Sequence, residues 1–432
     1  MTERVHLSVA EARELSERAM RGIGYEPEEA RILADHVLDA ALCGYEYSGL
    51  PKLLNVADHP LFQAPRSPMR VIKETSVSVL FDGGNQSGML GMYYTTRAVI
   101  DRAQAHGFAL AAVNNIWMSG RSAYYVEMAA RAGLIGIHTV AAPPMVAPPG
   151  GTKPALGTNP IAFGFPMEGD PLVIDLGTSA FMGTDLQFRQ RLGAPLPEGV
   201  ALDERGRPTT DAAAARRGAL LPFGGYKGYA LALATHALGV LCTAVPTKES
   251  TGYLFIAFQP DLFVPLDDYR RALAAEIAAI KATPRRDDVA EIRVPGERAY
   301  RERARLAREG IEIDRRIRDA LLARAVPDPA PRRILPPCAR TRSSNGCTRA
   351  RPPSASCAPS PRLRWSRCSG SSASTGFCST TSTAPSPWTT RRPALPPPSS
   401  PAWLRSCVRW ATGPRSSRRS SIAAHGACRY PT

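Results

Sequence analysis

The chain has 432 residues, a length suited to two to three domains, and 44% of them are hydrophobic, enough for a real core. Its formal charge of +16 averages two unlike parts: residues 331–432 hold 17 Arg and no Lys, Asp or Glu, which leaves 37 basic and 38 acidic residues in the body. A nearly neutral body argues against a fold that binds nucleic acid through its own basicity, and no apolar run reaches the ~18–20 residues that span a bilayer.

The first residues, Met1-Thr2-Glu3-Arg4-Val5-His6, are polar and predict no secretory signal. Ser8-Val9-Ala10-Glu11 then predicts a capping box that starts a helix running to about Arg21. Pro27 suits the first turn of a second helix, where its missing N–H would be unpaired anyway, and Ala30, Leu33, Val37, Leu38 and Ala41 recur on one face. Val77, Val79 and Phe81 alternate in a strand over 76–81, and Asp82-Gly83-Gly84-Asn85 reads as a turn. A helix over 89–106, a strand over 108–113, a helix over 122–132 and a strand over 134–140 follow. Short apolar runs at 161–165 and 172–176, an apolar helix over 229–241 and a strand over 253–258 come next. Amphipathic helices over 266–282, 297–309 and 311–325 close the body. Elements interleaved in the middle and helical at both ends predict an α/β or α+β fold whose terminal helices pack together.

Only Cys43 and Cys242 lie in the body. Two distant cysteines make neither a disulfide framework nor a metal pair, so a reduced, cytoplasmic protein with core cysteines and no metal is expected. No G-x-G-x-x-G follows a strand, no Walker loop is present, and H-E-x-x-H and G-x-S-x-G are missing. What remains is a series of polar, glycine-flanked segments: Pro148–Pro154, Leu156-Gly157-Thr158-Asn159-Pro160-Ile161-Ala162, Asp175-Leu176-Gly177-Thr178-Ser179, Pro195–Gly199, Asp203–Thr210 and Leu221–Gly228. Glycine lets backbone approach a ligand, and Thr, Ser, Asn and Lys supply donors, although any one segment alone is an ordinary turn.

In order and spacing these segments resemble the malate/L-lactate dehydrogenase family that is separate from the Rossmann-type enzymes, over about Val5 to Ala325. Pro295-Gly296-Glu297 and Glu309-Gly310-Ile311 also look like its C-terminal pattern. The resemblance implies NAD or NADP as cofactor, a homodimer, and a mostly antiparallel sheet wrapped by helices, which accounts for the missing fingerprint. It implies reduction or oxidation of a small carboxylated 2-hydroxy, 2-keto or imino acid. Thr158, Asn159, Asp175, Thr178, Ser179 and Lys227 fall on positions that line the family's cofactor or substrate pocket. On this reading residues 1–72 are an N-terminal helical segment, 73–258 the NAD(P)-binding domain and 259–327 C-terminal helices.

The departures fall where the chemistry should be. Where the family has Ser-His-Gly and then Arg, this chain has Tyr47-Ser48-Gly49 and Lys52, and Met118 stands at the family's second His. Carbonyl reduction needs a proton for the developing alkoxide, which Met118 cannot donate and Ser48 donates poorly. Tyr47, with Lys52 beside it to lower its pKa, is the expected replacement, and Tyr124 the second candidate. Lys52 or Arg121 would bind the substrate carboxylate. The bland alternative pairs Arg121 with Glu46 and packs the tyrosines. His138, inside a strand, reads as a satisfied core residue. The other functional possibility is a cofactor-binding relative without dehydrogenase activity, serving a binding or regulatory role; an apolar pocket lined by Met118 would favour it.

Residues 328–432 form an Arg-, Ser-, Pro- and Cys-rich tail with seven of the nine cysteines and four of the five tryptophans. That composition fits a GC-rich frame translated out of phase, or a fusion, better than a native disordered extension or a nucleic-acid or membrane-surface arm. A disordered or frame-shifted tail without function is expected, with neither nucleic acid nor membrane as partner.

Overall fold

A computed structural model describes residues 3–243 and 251–325. The expectations for residues 328–432 lie outside the described residues. Strand β1 (Arg4–Leu7) leads into α1 (Val9–Gly22), where the Ser8 hydroxyl accepts from Glu11 N–H at 3.2 Å and the Glu11 carboxylate accepts from Ser8 N–H at 2.7 Å. Both halves of the capping box are therefore made. Pro27 opens α2 (Pro27–Leu42), and α3 (Pro51–Ala57) follows a short 3-10 turn over Glu46–Ser48.

Strands β2 (Arg70–Glu74) and β3 (Ser78–Ser87) pair antiparallel. The expected turn at Asp82–Asn85 does not form: β3 runs through it, with its register against the next strand shifted between Asp82 and Gln86. Gly84 and Asn85 take φ of 64° and 58°, and a Cβ on Gly83 would lie 2.1 Å from Ile116. The glycines thus make a bulge under a tight contact, which the same residues signal as strongly as a turn. Next come α4 (Gly88–His106), β4 (Phe108–Trp117), α5 (Ser122–Arg131), β5 (Ile135–Ala141), β6 (Ile161–Phe165) and β7 (Leu172–Leu176). Then follow α6 (Gly183–Leu192), β8 (Ala201–Leu202), α7 (Ala212–Arg217), β9 (Ala219–Leu220), α8 (Tyr226–Val240) and β10 (Gly252–Phe258). The chain continues through α9 (Leu266–Lys281), α10 (Glu297–Glu309), β11 (Ile311–Asp314) and α11 (Arg315–Leu322).

Seven strands form one sheet in the order β2-β3-β4-β10-β5-β6-β7, antiparallel at every neighbour except β3–β4. Central β10 buries Tyr253, Phe255 and Ala257, and α4 and α5 cover the sheet with Val99, Ala103, Val126 and Ala129. A second core unites the two ends of the body: Leu15, Leu33, Val37, Leu50 and Leu53 pack with Ile311, Ile313, Ile317 and Leu321. Here the expected single helix over 311–325 divides. Residues 311–314 pair with β1 antiparallel, Leu7 opposite Ile311 and Arg4 opposite Asp314, and Asp314 caps the helix that follows by accepting from Arg316 N–H at 2.9 Å. The Ile-Glu-Ile alternation has the period of a strand, with both Ile buried and Glu312 exposed. Among the described residues no helix is long and apolar enough to cross a membrane.

Candidate active site

A cleft of about 370 Å³ opens where four parts of the chain meet. The turn after α2 brings Tyr45, Tyr47 and Ser48, and the loop into α5 brings Gly120 and Arg121. The end of β7 and the start of α6 bring Asp175, Gly177 and Thr184, and the α10 entry brings Pro295, Gly296, Ala299 and Tyr300.

The loop into α5 is shaped by His36. Its Nε2 accepts from Arg121 N–H at 2.9 Å, and a Cβ on Gly120 would lie 2.1 Å from that same atom. Gly120 has φ of 82° and Met118 φ of 57°, so the loop closes only with glycine at 120 and holds Met118 in a conformation that side chains disfavour. Burial, together with the charges of Lys52 and Arg121, keeps His36 neutral, its pKa well below the usual histidine value.

Arg121 does not pair with Glu46. Its Nη1 donates to Asp39 at 2.7 Å, while Glu46 takes Arg4 at 2.7 Å. Asp39 also accepts from Arg303 at 2.6 Å, and Arg303 grips Glu127 through two bonds of 2.7 and 2.8 Å. Burial pushes the Asp39 pKa up although both guanidinium groups oppose it. Asp175 is exposed to the cleft; the protein packed around its carboxyl raises its pKa, while that carboxylate accepts from Ala123 N–H at 2.8 Å at the start of α5.

Lys52 lies beneath the cleft, only 3% exposed, and its Nζ donates to Thr184 Oγ1 at 3.2 Å. Burial lowers its pKa to about 8. The pKa of the Tyr47 hydroxyl is not lowered: burial, Tyr45, Asp185 and Asp175 raise it to about 12 against the opposing charge of Arg121. Tyr124 is outside the cleft lining, its ring tilted on His36 with centroids 4.7 Å apart and its pKa raised by burial and by Asp35 and Asp39. Met118 borders a different cavity of about 440 Å³, with His59, Gln187 and Arg191. His138 is core but not satisfied: fully buried between Tyr125 and Phe255, both ring nitrogens lack a protein partner, and burial lowers its pKa to about 3.

Of the residues expected to meet a cofactor, three are frame. Asn159 is fully buried, its Oδ1 taking Ala142 N–H and its Nδ2 donating to Ala232 O, both at 2.9 Å. Thr178 donates to Thr158 O at 3.0 Å and Ser179 to Phe181 O at 2.7 Å. Their polar atoms are already engaged, so they tie the loops together. Thr158 is partly exposed and Lys227 exposed. Gly224 and Gly225 have φ of 53° and 58° with open space where a Cβ would point, and Phe223 N–H donates to Thr178 O at 3.1 Å. The Gly-Gly-Tyr-Lys-Gly turn is thereby anchored to the loop that leaves the cleft, presenting bare backbone and a lysine at the start of α8. That arrangement fits the phosphates of a dinucleotide.

Sequence reasoning passed over His36, Asp39, Thr184 and Tyr300. His36 and Asp39 lie three apart on α2, a spacing that puts them on one face, but their partners come from positions 121 and 303.

Comparison with known proteins follows the same outline. Residues 7–322 match the family described as malate/L-lactate dehydrogenase. The malate/(S)-sulfolactate dehydrogenase of Methanothermus fervidus is 30% identical over 329 residues, covering 73% of this chain and 96% of the relative. The Δ1-pyrroline-2-carboxylate/Δ1-piperideine-2-carboxylate reductase of Pseudomonas aeruginosa is 38% identical over 234 residues, covering 52% of this chain and 70% of the relative. The crystal structure of a dehydrogenase from Sinorhizobium meliloti superposes with a TM-score of 0.67 at 32% identity, over 75% of this chain and 98% of that one.

Proposed function

The chain belongs to the malate/L-lactate dehydrogenase family, and on that premise we propose that it is an NAD(P)-dependent oxidoreductase interconverting a small carboxylated 2-hydroxy acid with its 2-keto acid, or reducing the matching imino acid. The observation that carries this reading is the cleft that brings polar side chains together, with Arg121 at one wall and Tyr47 and Ser48 at another. Arg121 holds the substrate carboxylate. Tyr47 and Ser48 face the oxygen of the reacting carbon. Thr158 and Lys227 hold the nucleotide, Lys227 as a cation for phosphate. The nicotinamide supplies or accepts the hydride. An apolar pocket around Met118 would have favoured a non-catalytic relative, but Met118 lines a separate cavity with His59 and Arg191. Cys43 and Cys242 are free and buried, in keeping with a reducing, cytoplasmic setting.

Titrating NADH and NADPH into the full chain should give saturable binding of one of them, weakened by about tenfold in Lys227→Ala, the loss of one charge-assisted hydrogen bond. A panel of 2-keto and cyclic imino acids then identifies the substrate. Failure to bind either nucleotide at millimolar concentration would sink the reading.

A homodimer is part of the proposal. Helix α8 leaves Tyr226, Leu233 (50%) and Val240 exposed, with Leu241 just past its end 73% exposed, an apolar row along an element that also carries the nucleotide turn. A second copy covers such a face. Sedimentation should give twice the chain mass, and Leu233→Glu should give monomers; a monomeric wild type disproves it.

A further inference from the structure

We infer that the proton for the reduced substrate oxygen comes from Lys52 through the hydroxyl of Thr184. This rests on the oxidoreductase reading and adds the acid that Ser48 and Met118 do not supply. Thr184 lines the cleft and Lys52 does not, yet the two are joined: Lys52 Nζ donates to Thr184 Oγ1 at 3.2 Å. With its oxygen accepting from the ammonium, the Thr184 hydroxyl is free to donate its own proton into the cleft. No carboxylate lies within ion-pair distance of Lys52 among the described residues, so nothing holds the proton on the amine. The titratable and charged groups around the pair are His36 from α2, Tyr47 on the turn before α3, Arg121 on the facing loop, Asp185 beside Thr184, and Asp175 at the end of β7, whose carboxylate accepts from Ala123 N–H at 2.8 Å. His36 is kept neutral and its Nε2 is occupied by Arg121 N–H, Tyr47 titrates far above neutrality, and Asp185 pairs with Arg189 at 3.5 Å. Lys52 is bonded to the Thr184 hydroxyl that lines the cleft, and with a pKa of about 8 it holds a proton at pH 7 and releases it at modest cost.

The step balances. A bound reduced nicotinamide would supply the hydride that forms the new C–H bond at the carbonyl carbon, leaving as the oxidised nucleotide. The carbonyl π pair moves onto oxygen, which takes the Thr184 proton. Thr184 Oγ1 takes a proton from the Lys52 ammonium, and the neutral amine is recharged from solvent after product leaves. In the oxidative direction the neutral amine receives the proton by the same path.

The first test needs no turnover. The chain has six lysines, and in a 13Cε-lysine titration of the full chain one should have a midpoint near 8, against the usual ~10.4, and should disappear in Lys52→Arg. Kinetics provide the second test. Reduction should fall and oxidation rise through that same midpoint as pH increases. Thr184→Val should lower reductive turnover by ~10²-fold with nucleotide affinity unchanged, and Thr184→Ser should recover most of it. Lys52→Arg keeps the cation but gives up no proton near neutrality, so it should lose turnover like Lys52→Met. A Lys52 midpoint in the ordinary range overturns the relay even in an active enzyme, as does full turnover in Thr184→Val or Lys52→Arg. A shifted lysine in a chain that binds neither nucleotide overturns the oxidoreductase reading, and the relay with it.

Discussion

Arg121→Ala should cut kcat/KM for a 2-keto acid by about 10²–10⁴-fold, mostly through KM, while nucleotide affinity stays close to wild type. The magnitude is that of two charge-assisted hydrogen bonds at about 1.5–3 kcal/mol each. The geometry suits that loss. The Arg121 side chain is 10% exposed and lines the cleft, one nitrogen is bound to Asp39 at 2.7 Å, and its backbone is fixed by His36 at 2.9 Å. A fork held on one tine presents the rest of its donors to a planar carboxylate with little entropy left to lose. Arg121→Lys keeps the charge without the fork and should recover only part of the loss. Folding should survive, because Arg303 still pairs with Asp39 at 2.6 Å, and the unfolding midpoint of the variant checks this. An Arg121→Ala enzyme with unchanged KM would show that the carboxylate binds elsewhere.

The body's elements were legible because they obey local rules. Ser8 and Glu11 announce α1, Pro27 announces α2, and the alternation at 77–81 announces β3. The elements that were misread depend on partners far along the chain. Residues 311–314 are a strand because β1, some three hundred positions earlier, offers an edge. Asp82–Asn85 bulges instead of turning because Ile116 and the neighbouring strand take up the slack. The site divides in the same way. Tyr47, Ser48, Arg121 and Asp175 line one cleft, although only Asp175 lies in the ordered glycine-flanked segments. Asn159, Thr178 and Ser179 carry the right chemistry for ligands but spend it on Ala142, Ala232, Thr158 and Phe181, and only tertiary contacts decide that. The pKa of Lys52 was equally out of reach, since it follows from burial beneath Thr184.

Acid should unfold this protein earlier than its carboxylates alone require, and His138 should be the main reason. In the fold His138 is fully buried, with neither ring nitrogen bonded, and its pKa falls to about 3 from an ordinary 6.5. Above 6.5 the ring is neutral in both states and contributes no pH dependence. Below it the unfolded chain binds a proton that the folded chain refuses, so stability falls with pH until about 3. At about 1.36 kcal/mol per unit, that window is worth about 4–5 kcal/mol, a large part of a typical domain's stability. His36 acts in the same direction; Asp39 and Asp175, whose pKa values are raised, act in the other. Comparing wild type with His138→Leu cancels those shared contributions. Leu fills a similar volume between Tyr125 and Phe255 and carries no polar atom to leave unpaired, so the variant should equal or exceed wild type at pH 7. Between pH 6 and 4 its denaturation midpoint should fall much less steeply than that of wild type. Parallel acid limbs for the two proteins would mean that the folded ring takes up a proton after all, through water reaching the unpaired nitrogens of β5.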